Sequence, residues 1–289
     1  MLPLVQQLVF GLLVGGMYGL AATGLSLIFG VLRLLNVAHG ELIMVGGYAT
    51  FWLFELAGLD PFASLLFTLP LLFVGGLVLY RGLFGLLAAA PDEAKIRTSL
   101  LIGFGLALAL DNLAIRLWTA DERAVAPAYA GQVLRALGVA FPLVRLAAVG
   151  NALALVVTLH LLLTRTFLGR AIRATAEDRE AAALAGIDVD RVSLISFALG
   201  TACAGAAGTL VSIGYSISPA IGLEWTLKAL IVVVLAGLGS VLGTFASGLL
   251  LGVAESTSTL LLGGAYREVV GLAIFLAILM VRPQGLFGR

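Results

Sequence analysis

The sequence predicts an all-α integral membrane protein, a polytopic helical bundle of about eight to ten spans. Three observations support this fold class. The mean hydropathy is +1.12. Of 289 residues, 61% are hydrophobic and only 11% are charged. The apolar runs repeatedly reach the length of about 20 residues that a helix needs to cross a bilayer. A soluble core could not absorb so many of them.

Nine apolar runs are candidate spans, at 5–30, 37–57, 62–80, 98–118, 142–164, 192–213, 226–240, 242–262 and 266–282. We expect them to form one transmembrane domain over residues 1–289, with an external loop at 121–142 broken by Pro127 and Gly131. The region 226–262 leaves two alternatives open. Its glycine-rich middle, 237–243, permits a tight turn between two short helices or a break inside a re-entrant pair.

A charged segment at 165–191, called the charged loop below, interrupts the apolar pattern. It holds five of the 17 basic residues and five of the 16 acidic ones. A charge at the bilayer centre costs roughly 2.5 kcal/mol or more, so this loop lies in water. If the loop is cytoplasmic and the spans alternate, 11 of the 17 basic residues face the cytoplasm. The sequence therefore predicts a multi-pass protein of the plasma (inner) membrane, with its N-terminus outside and its C-terminus cytoplasmic.

Within the charged loop, residues 168–185 have the composition of a helix, and Gly186 stands where a left-handed residue would end it. Asp188 or Asp190 is suited to cap the following span. A small apolar ridge runs along the helix, made of Ala181, Ala182, Leu184 and Ile187. Docking into a partner's groove and a plain solvated surface helix both remain open.

Composition and motifs exclude several classes of protein. The two lysines, Lys95 and Lys228, both lie outside any G-x-x-x-x-G-K-[ST] pattern, so the chain has no P-loop with which to hydrolyse ATP. No basic tract suggests nucleic acid. No nucleophile and base are placed together as an enzyme would need, so we predict no catalytic residues. The single cysteine, Cys203, excludes an intrachain disulfide.

Asn36, His39 and Glu41 form a polar group where the first span meets the second. We expect His39 and Glu41 near the cytoplasmic end, where their side chains reach water. Two roles remain open. In a structural role, Asn36 caps the second helix and Glu41 satisfies backbone groups or a neighbour. In a functional role, the group lines a gate or translocation path. A metal site is disfavoured, because the other histidine, His160, lies in a different span.

Glu255 is the other acid placed well inside an apolar run, beside the hydroxyl residues Ser256 to Thr259. It could face a polar pathway. Serine and threonine in membrane helices also bond carbonyls of their own helix, which would leave the segment without a transport role.

Glycine is abundant, with 36 residues, and recurs at four-residue spacing. Such small residues on one helix face allow neighbouring helices to approach closely. We interpret the sets as packing faces rather than ligand sites: Gly11, Gly15 and Gly19; Gly200, Ala204 and Gly208; Gly239, Gly243 and Ser247.

Several segments together resemble a known family. Glu180-Ala-Ala-Ala-Leu-Ala-Gly186-Ile is similar to the loop by which ABC importer permeases engage their ATPases. Gly24-Leu-Ser-Leu-Ile-Phe-Gly30, with Leu35-Asn-Val-Ala-His-Gly-Glu41, resembles the N-terminal signature of branched-chain amino acid permeases, specifically the LivH type. The segments 173–178, 186–192, 237–243 and 282–288 follow in the family's order. The resemblance covers nearly the whole chain.

The resemblance implies a permease domain whose pore is a heterodimer with a second, LivM-type permease. It also implies two cytoplasmic ATPase subunits and a periplasmic or extracellular substrate-binding protein. ATP and Mg²⁺ would bind to the ATPase subunits, and this chain would bind no cofactor itself. The substrate pathway or gate candidates are Asn36, His39, Glu41 and Glu255. The ATPase-coupling candidates are Arg173, Glu177, Asp178, Glu180, Ala181, Ala182 and Gly186.

The implied substrates are leucine, isoleucine and valine. Urea and short-chain amide permeases share much of the pattern and remain an alternative. Outside the family, the competing interpretation is an ion-coupled secondary transporter that uses His39, Glu41 and Glu255.

Overall fold

The computed structural model describes residues 2–87, 91–136, 138–237 and 239–288. These residues form eleven α-helices and one two-stranded antiparallel sheet. The helices are α1 Leu2–Leu32, α2 His39–Ala57, α3 Leu65–Gly82, α4 Asp92–Trp118, α5 Leu143–Arg165, α6 Phe167–Glu177, α7 Arg179–Leu184, α8 Val189–Gly214, α9 Ile221–Ala236, α10 Val241–Leu262 and α11 Arg267–Val281. The strands are β1 Val133–Ala136 and β2 Val139–Pro142.

Each predicted span coincides with one helix, so the polytopic all-α fold is confirmed. In the described part of the chain, seven helical segments are long and apolar enough to cross a membrane, namely Leu2–Leu32, Leu65–Gly82, Glu93–Trp118, Leu143–Arg165, Val189–Gly214, Val241–Leu262 and Gly264–Val281. The remaining two predicted spans are α2 and α9. The helix α9 has 16 residues, about 24 Å, which is shorter than the roughly 30 Å hydrocarbon core.

Contacts between the connecting segments assign the helix ends to two faces. On one, called the hairpin face, Gln6 exchanges hydrogen bonds with the Ala140 backbone, both 2.8 Å, and Tyr129 donates to Asp60 at 2.6 Å. Arg123 and Ile217 exchange two backbone hydrogen bonds there. Partial burial, together with this bond to Asp60, raises the pKa of Tyr129. The hairpin β1–β2 belongs to this face, in a loop that the sequence indicated only as irregular.

The opposite face carries the charged loop. A small crevice there is lined by Leu34 after α1, Tyr80 near the end of α3, Lys95 near the start of α4 and Arg179 of the charged loop. Gly30 of α1 lies beside Gly239 of the α9–α10 turn. This division is the one expected when α1 to α5 and α8 to α11 alternate in direction.

The segment between α9 and α10 is a turn, which decides between the two alternatives for 226–262. Gly237 and Gly239 have φ of 80° and 101°, in the left-handed region that favours glycine. Ser240 then caps α10 by accepting from Gly243 N at 3.0 Å. Backbone N–H groups of Leu286 and Phe287 donate to the carbonyls of Leu235 and Ala236, both at 2.8 Å. The C-terminal segment thus satisfies the otherwise open end of α9.

Glycines hold α1 against α10, as the packing interpretation expected for α1. A Cβ built on Gly15 would lie 2.7 Å from Leu249 Cα, and one on Gly19 would lie 2.9 Å from Phe245 O. The α10 partners are Gly248 and Gly252, not the predicted set. Gly239 has open space around it, because it belongs to the turn rather than to a helix face. The prediction was wrong for that residue.

The charged loop is helical, but the single predicted helix was wrong at Asp178. Asp178 is extended, with φ −149° and ψ 113°, and so separates α6 from α7. Its Oδ1 accepts from Glu180 N at 2.9 Å and Ala181 N at 3.0 Å, which caps α7. Gly186 follows the end of α7 in the left-handed conformation, with φ 84°, as predicted. Asp188 then caps α8, because its Oδ1 accepts from Arg191 N at 3.0 Å. A capping aspartate favours a new helix start over a continuous helix.

Candidate translocation and coupling sites

The polar group Asn36, His39 and Glu41 lies deep in the bundle. His39 is fully buried, and its Nε2 donates to the carbonyl of Ala21 at 2.9 Å. Ala21 lies 11 residues before the end of α1 at Leu32, which is about 16 Å along the helix. The expectation that His39 and Glu41 reach water near a helix end was therefore wrong. The connection 33–38 turns back into the bundle, so α2 begins well inside it.

Helix α9 holds this buried helix start in place. Thr226 Oγ1 accepts from Gly40 N at 2.9 Å and donates to Val37 O at 3.0 Å. Gly222 leaves the space that the Glu41 carboxylate occupies, since a Cβ there would collide with it. The first turn of a helix has unsatisfied N–H groups, and Thr226 satisfies one of them.

Three buried side-chain atoms in this group have no hydrogen-bond partner among the described residues: Asn36 Nδ2, His39 Nδ1 and Glu41 Oε2. Asn36 does not cap α2, because its Oδ1 accepts from Ala38 N at 3.1 Å, before the helix begins. Among the described residues no hydrogen bond to the Glu41 carboxylate is found, so the prediction that Glu41 satisfies backbone groups or a neighbouring side chain is not supported. Each unsatisfied buried polar atom costs about 1–3 kcal/mol, so this conformer is unusually expensive at one point in the bundle.

Glu255 forms a second, separate buried group. Its Oε1 accepts from Lys228 Nζ at 2.6 Å, and its Oε2 accepts from Tyr18 OH at 3.0 Å and from Arg267 Nε at 3.2 Å. Arg267 also donates to Tyr18 OH at 3.0 Å. The Glu255 and Lys228 side chains are 0% and 9% exposed. The hydroxyls of Ser258 and Thr259 bond carbonyls three residues earlier, so they do not contribute to this group.

A cavity of about 300 Å³ opens beside this group on the hairpin face and is called the hairpin-face cavity below. Lys228, Arg267 and Tyr18 line its inner part together with the rings of Tyr215 and Trp225. The exposed carboxylates of Glu122, Glu224 and Glu268 also line it. Such a volume is at the lower end of the range for small-molecule sites, about 300–1,000 Å³.

The four predicted pathway residues are thus divided between two places. Gly222 and Thr226, four residues apart on α9, contact the start of α2, whereas Lys228 contacts Glu255. At about 100° per residue, Lys228 projects from a different face of α9 than Gly222 and Thr226 do. Helix α9 therefore lies between Asn36, His39 and Glu41 on one side and Glu255 on the other.

Most of the predicted coupling residues lie at the surface of the charged-loop face. Arg173, Glu177, Asp178, Glu180, Ala181 and Gly186 are exposed, whereas Ala182 is buried. The side chains of Leu184 and Phe167 are 91% and 77% exposed. Helix α6 is amphipathic and buries Ala171 and Ile172 against the bundle. The charged loop is therefore packed against the bundle through α6 and exposes charged side chains and two apolar ones to solvent.

The family model described as branched-chain amino acid transport system, permease component, matches residues 7–279. The chain belongs to this permease family. It is 32% identical over 300 residues to the high-affinity branched-chain amino acid transport system permease protein BraD of Pseudomonas aeruginosa, covering 98% of this chain and 95% of BraD. It is 32% identical over 298 residues to the LivH permease protein of Escherichia coli strain K12, at the same coverage.

A probable LivH permease of Methanocaldococcus jannaschii is 31% identical over 283 residues, covering 93% of this chain and 88% of that protein. No solved structure matches the permease. The resemblance to the LivH type that the motifs indicated is therefore confirmed, and the molecule is a multi-pass membrane permease.

The sequence of the permease indicated Glu255 but not its partners Lys228, Arg267 and Tyr18. One signal was present, since Lys228 lies in an apolar run just as Glu255 does. A buried lysine and a buried glutamate in neighbouring spans each cost free energy when unpaired, and pairing them lowers that cost. No metal-binding group of three or more His, Cys, Asp or Glu residues occurs in the described part of the chain.

Proposed function

We propose that this permease translocates the branched-chain amino acids leucine, isoleucine and valine as the membrane subunit of an ABC importer. The observation that carries the proposal is the match, over 98% of the chain, to permeases whose names specify branched-chain amino acid transport. In this proposal the pore is a heterodimer with a LivM-type permease in the plasma (inner) membrane. An external binding protein delivers the substrate to the hairpin face.

ATP and Mg²⁺ would bind to two cytoplasmic ATPase subunits and not to this chain, which would have no enzymatic activity of its own. The charged-loop face would be cytoplasmic, with the N-terminus outside and the C-terminus inside. Exposed charged and apolar side chains favour this face as the ATPase contact, because a partner can dock on them: Arg173, Glu177, Glu180 and Leu184. Movement of a docked ATPase would then pass through the helices of the charged loop to the spans.

The buried group at the start of α2 supports a role in gating. Asn36 Nδ2, His39 Nδ1 and Glu41 Oε2 have no partner among the described residues, and an open conformation would let them bind water or the substrate. We propose that Asn36, His39 and Glu41 line a gate that is closed in this conformer. In this proposal Glu255 belongs to the same pathway. It lies next to the hairpin-face cavity, on the opposite side of α9 from Asn36, His39 and Glu41.

Substrate identity is tested by uptake into proteoliposomes that contain the complete transport complex and are supplied with ATP and the binding protein. Radiolabelled leucine, isoleucine, valine, urea and acetamide are compared at equal concentration. Uptake of the three amino acids, with urea and acetamide near background, supports the proposal. Uptake of urea or acetamide alone would leave an ABC permease but overturn the amino acid.

A further inference from the structure

The charges around the hairpin-face cavity are arranged in two layers. In its inner part, two cations face one carboxylate: Lys228 and Arg267 against Glu255. Both Glu255 oxygens already accept hydrogen bonds. The exposed layer has Glu122, Glu224 and Glu268. The inner part therefore has an excess of one positive charge, and the mouth is acidic.

Lys228 keeps donors for a further partner. An ammonium group has three N–H donors, and the described residues give it one acceptor, Glu255 Oε1. Glu224 lies four residues earlier on α9, a spacing at which glutamate and lysine commonly pair along a helix. Lys228 is instead turned inward to Glu255, and no ion pair of Glu224 occurs among the described residues.

The wall between the two layers is mostly aromatic and apolar. Trp225 is 6% exposed and packs edge-on against Tyr18, with ring centroids 5.6 Å apart, and against Tyr215 at 6.3 Å. Ala220 and Ile221 continue this wall. A ligand with a carboxylate at one end, an ammonium at the other and a small aliphatic group between the rings matches all three features.

We propose that the hairpin-face cavity is a transient binding subsite for a zwitterionic aliphatic α-amino acid. The carboxylate binds to Lys228 and Arg267, the ammonium group faces Glu224, and the side chain lies against Trp225 and Tyr215. This inference rests on the proposed function, since it assumes that the substrate is an amino acid. It adds where the permease receives that substrate and which of its residues recognise each end.

The existing bonds of the two cations limit how tightly the subsite holds its ligand. Glu255 already pairs with both cations, and Arg267 also donates to Tyr18 OH, so a carboxylate that binds the remaining donors shares both cations with Glu255. A transport site must bind its substrate weakly enough to let it leave. The acidic mouth disfavours an anion that lacks an ammonium group, because three carboxylates would repel it.

The test measures ligand protection of a thiol placed in the cavity. Ser218 lines the cavity, and Cys203 is the one native cysteine. In the complete transport complex, carrying Cys203→Ala and Ser218→Cys in this chain and lacking the binding protein, the maleimide reaction is followed by the mass of this chain. Leucine, 4-methylpentanoate and isoamylamine, which share the aliphatic group, are compared at equal millimolar concentrations.

Leucine should slow the reaction at least threefold more than either 4-methylpentanoate, which lacks the ammonium group, or isoamylamine, which lacks the carboxylate. Lys228→Met should remove the preference for leucine over isoamylamine, and Lys228→Arg should retain it. Arg135→Gln is the matched control, since Arg135 is an exposed cation of the hairpin face outside the cavity. If Lys228→Met does not fold, the panel on the native Lys228 still decides the proposal.

Equal protection by leucine and isoamylamine, or an unchanged preference in Lys228→Met, would overturn the subsite. Leucine uptake is measured in parallel in the same complex supplied with its binding protein. Uptake without selective protection overturns the subsite and leaves the proposed function intact. Selective protection without uptake supports the subsite and overturns the proposed function.

Discussion

Lys228 of α9 and Glu255 of α10 form a buried ion pair, with Nζ 2.6 Å from Oε1, and they are 27 residues apart in the sequence. The pair joins the two helices on either side of the glycine turn, and Arg267 extends it to α11. Three helices are therefore held at one point by charges that would each be costly to bury alone in a bilayer.

Glu255→Gln should strongly destabilise the permease, because it leaves two neighbouring cations without their carboxylate. Removing one partner of a buried pair typically costs about 3–5 kcal/mol. The control is Arg191→Gln, since the Arg191 and Asp188 side chains are 82% and 58% exposed and such pairs contribute little. Thermal unfolding in detergent measures both. Equal melting temperatures for the two variants would contradict the assigned pair.

Gly252→Ala should weaken the packing of α1 against α10. A Cβ at position 252 would lie 2.5 Å from Gly15 Cα, and helix backbones cannot yield as a flexible side chain can. Gly75→Ala is the matched control, because nothing lies within 4 Å of a Cβ there and alanine favours the helix. We expect a lower melting temperature for Gly252→Ala alone, and loss in both variants would indicate a general intolerance of α-helical substitution.

Gly186→Val and Glu180→Lys should each reduce coupling to the ATPases while leaving membrane insertion intact. Valine is strongly disfavoured at φ 84°, so the end of the charged-loop helix would shift. Lysine at position 180 reverses an exposed charge. Co-purification of the ATPases and the ratio of ATP hydrolysed to leucine transported measure the effect. Normal values for both variants would mean that the charged loop is only a solvated surface.

Glu41→Cys, in the Cys203→Ala background, should react with a water-soluble thiol reagent only when the transporter cycles. Glu41 is 5% exposed in this conformer, and the proposed gate would open around it. Leu184→Cys is the reference, because that side chain is 91% exposed and should react in every state. Mass analysis of this chain, with and without ATP and loaded binding protein, measures labelling. Absence of labelling at position 41 during transport would remove it from the pathway.

The nine predicted spans could be found from the sequence because each contains a long run of apolar side chains, which a helix in a bilayer requires. The break at Asp178 was missed because an exposed aspartate in a helix-forming segment can either lie within one helix or cap the start of the next. The burial of His39 depends on its contact with Ala21, 18 residues away. The cluster around Glu255 depends on how several helices are rotated relative to one another, and hydropathy carries no information about that rotation. Long-range side-chain pairing is therefore what the sequence left undetermined.

The energy source of leucine uptake distinguishes a permease that is one subunit of an ATP-driven importer from one that works alone. Proteoliposomes with this chain alone are compared with ones holding both permeases, the ATPases, the binding protein and ATP. We predict uptake only in the complete system, lost without ATP and retained when ion gradients are collapsed. Uptake by this chain alone, driven by a proton or sodium gradient, would rule out the ATP-driven importer and identify a secondary transporter.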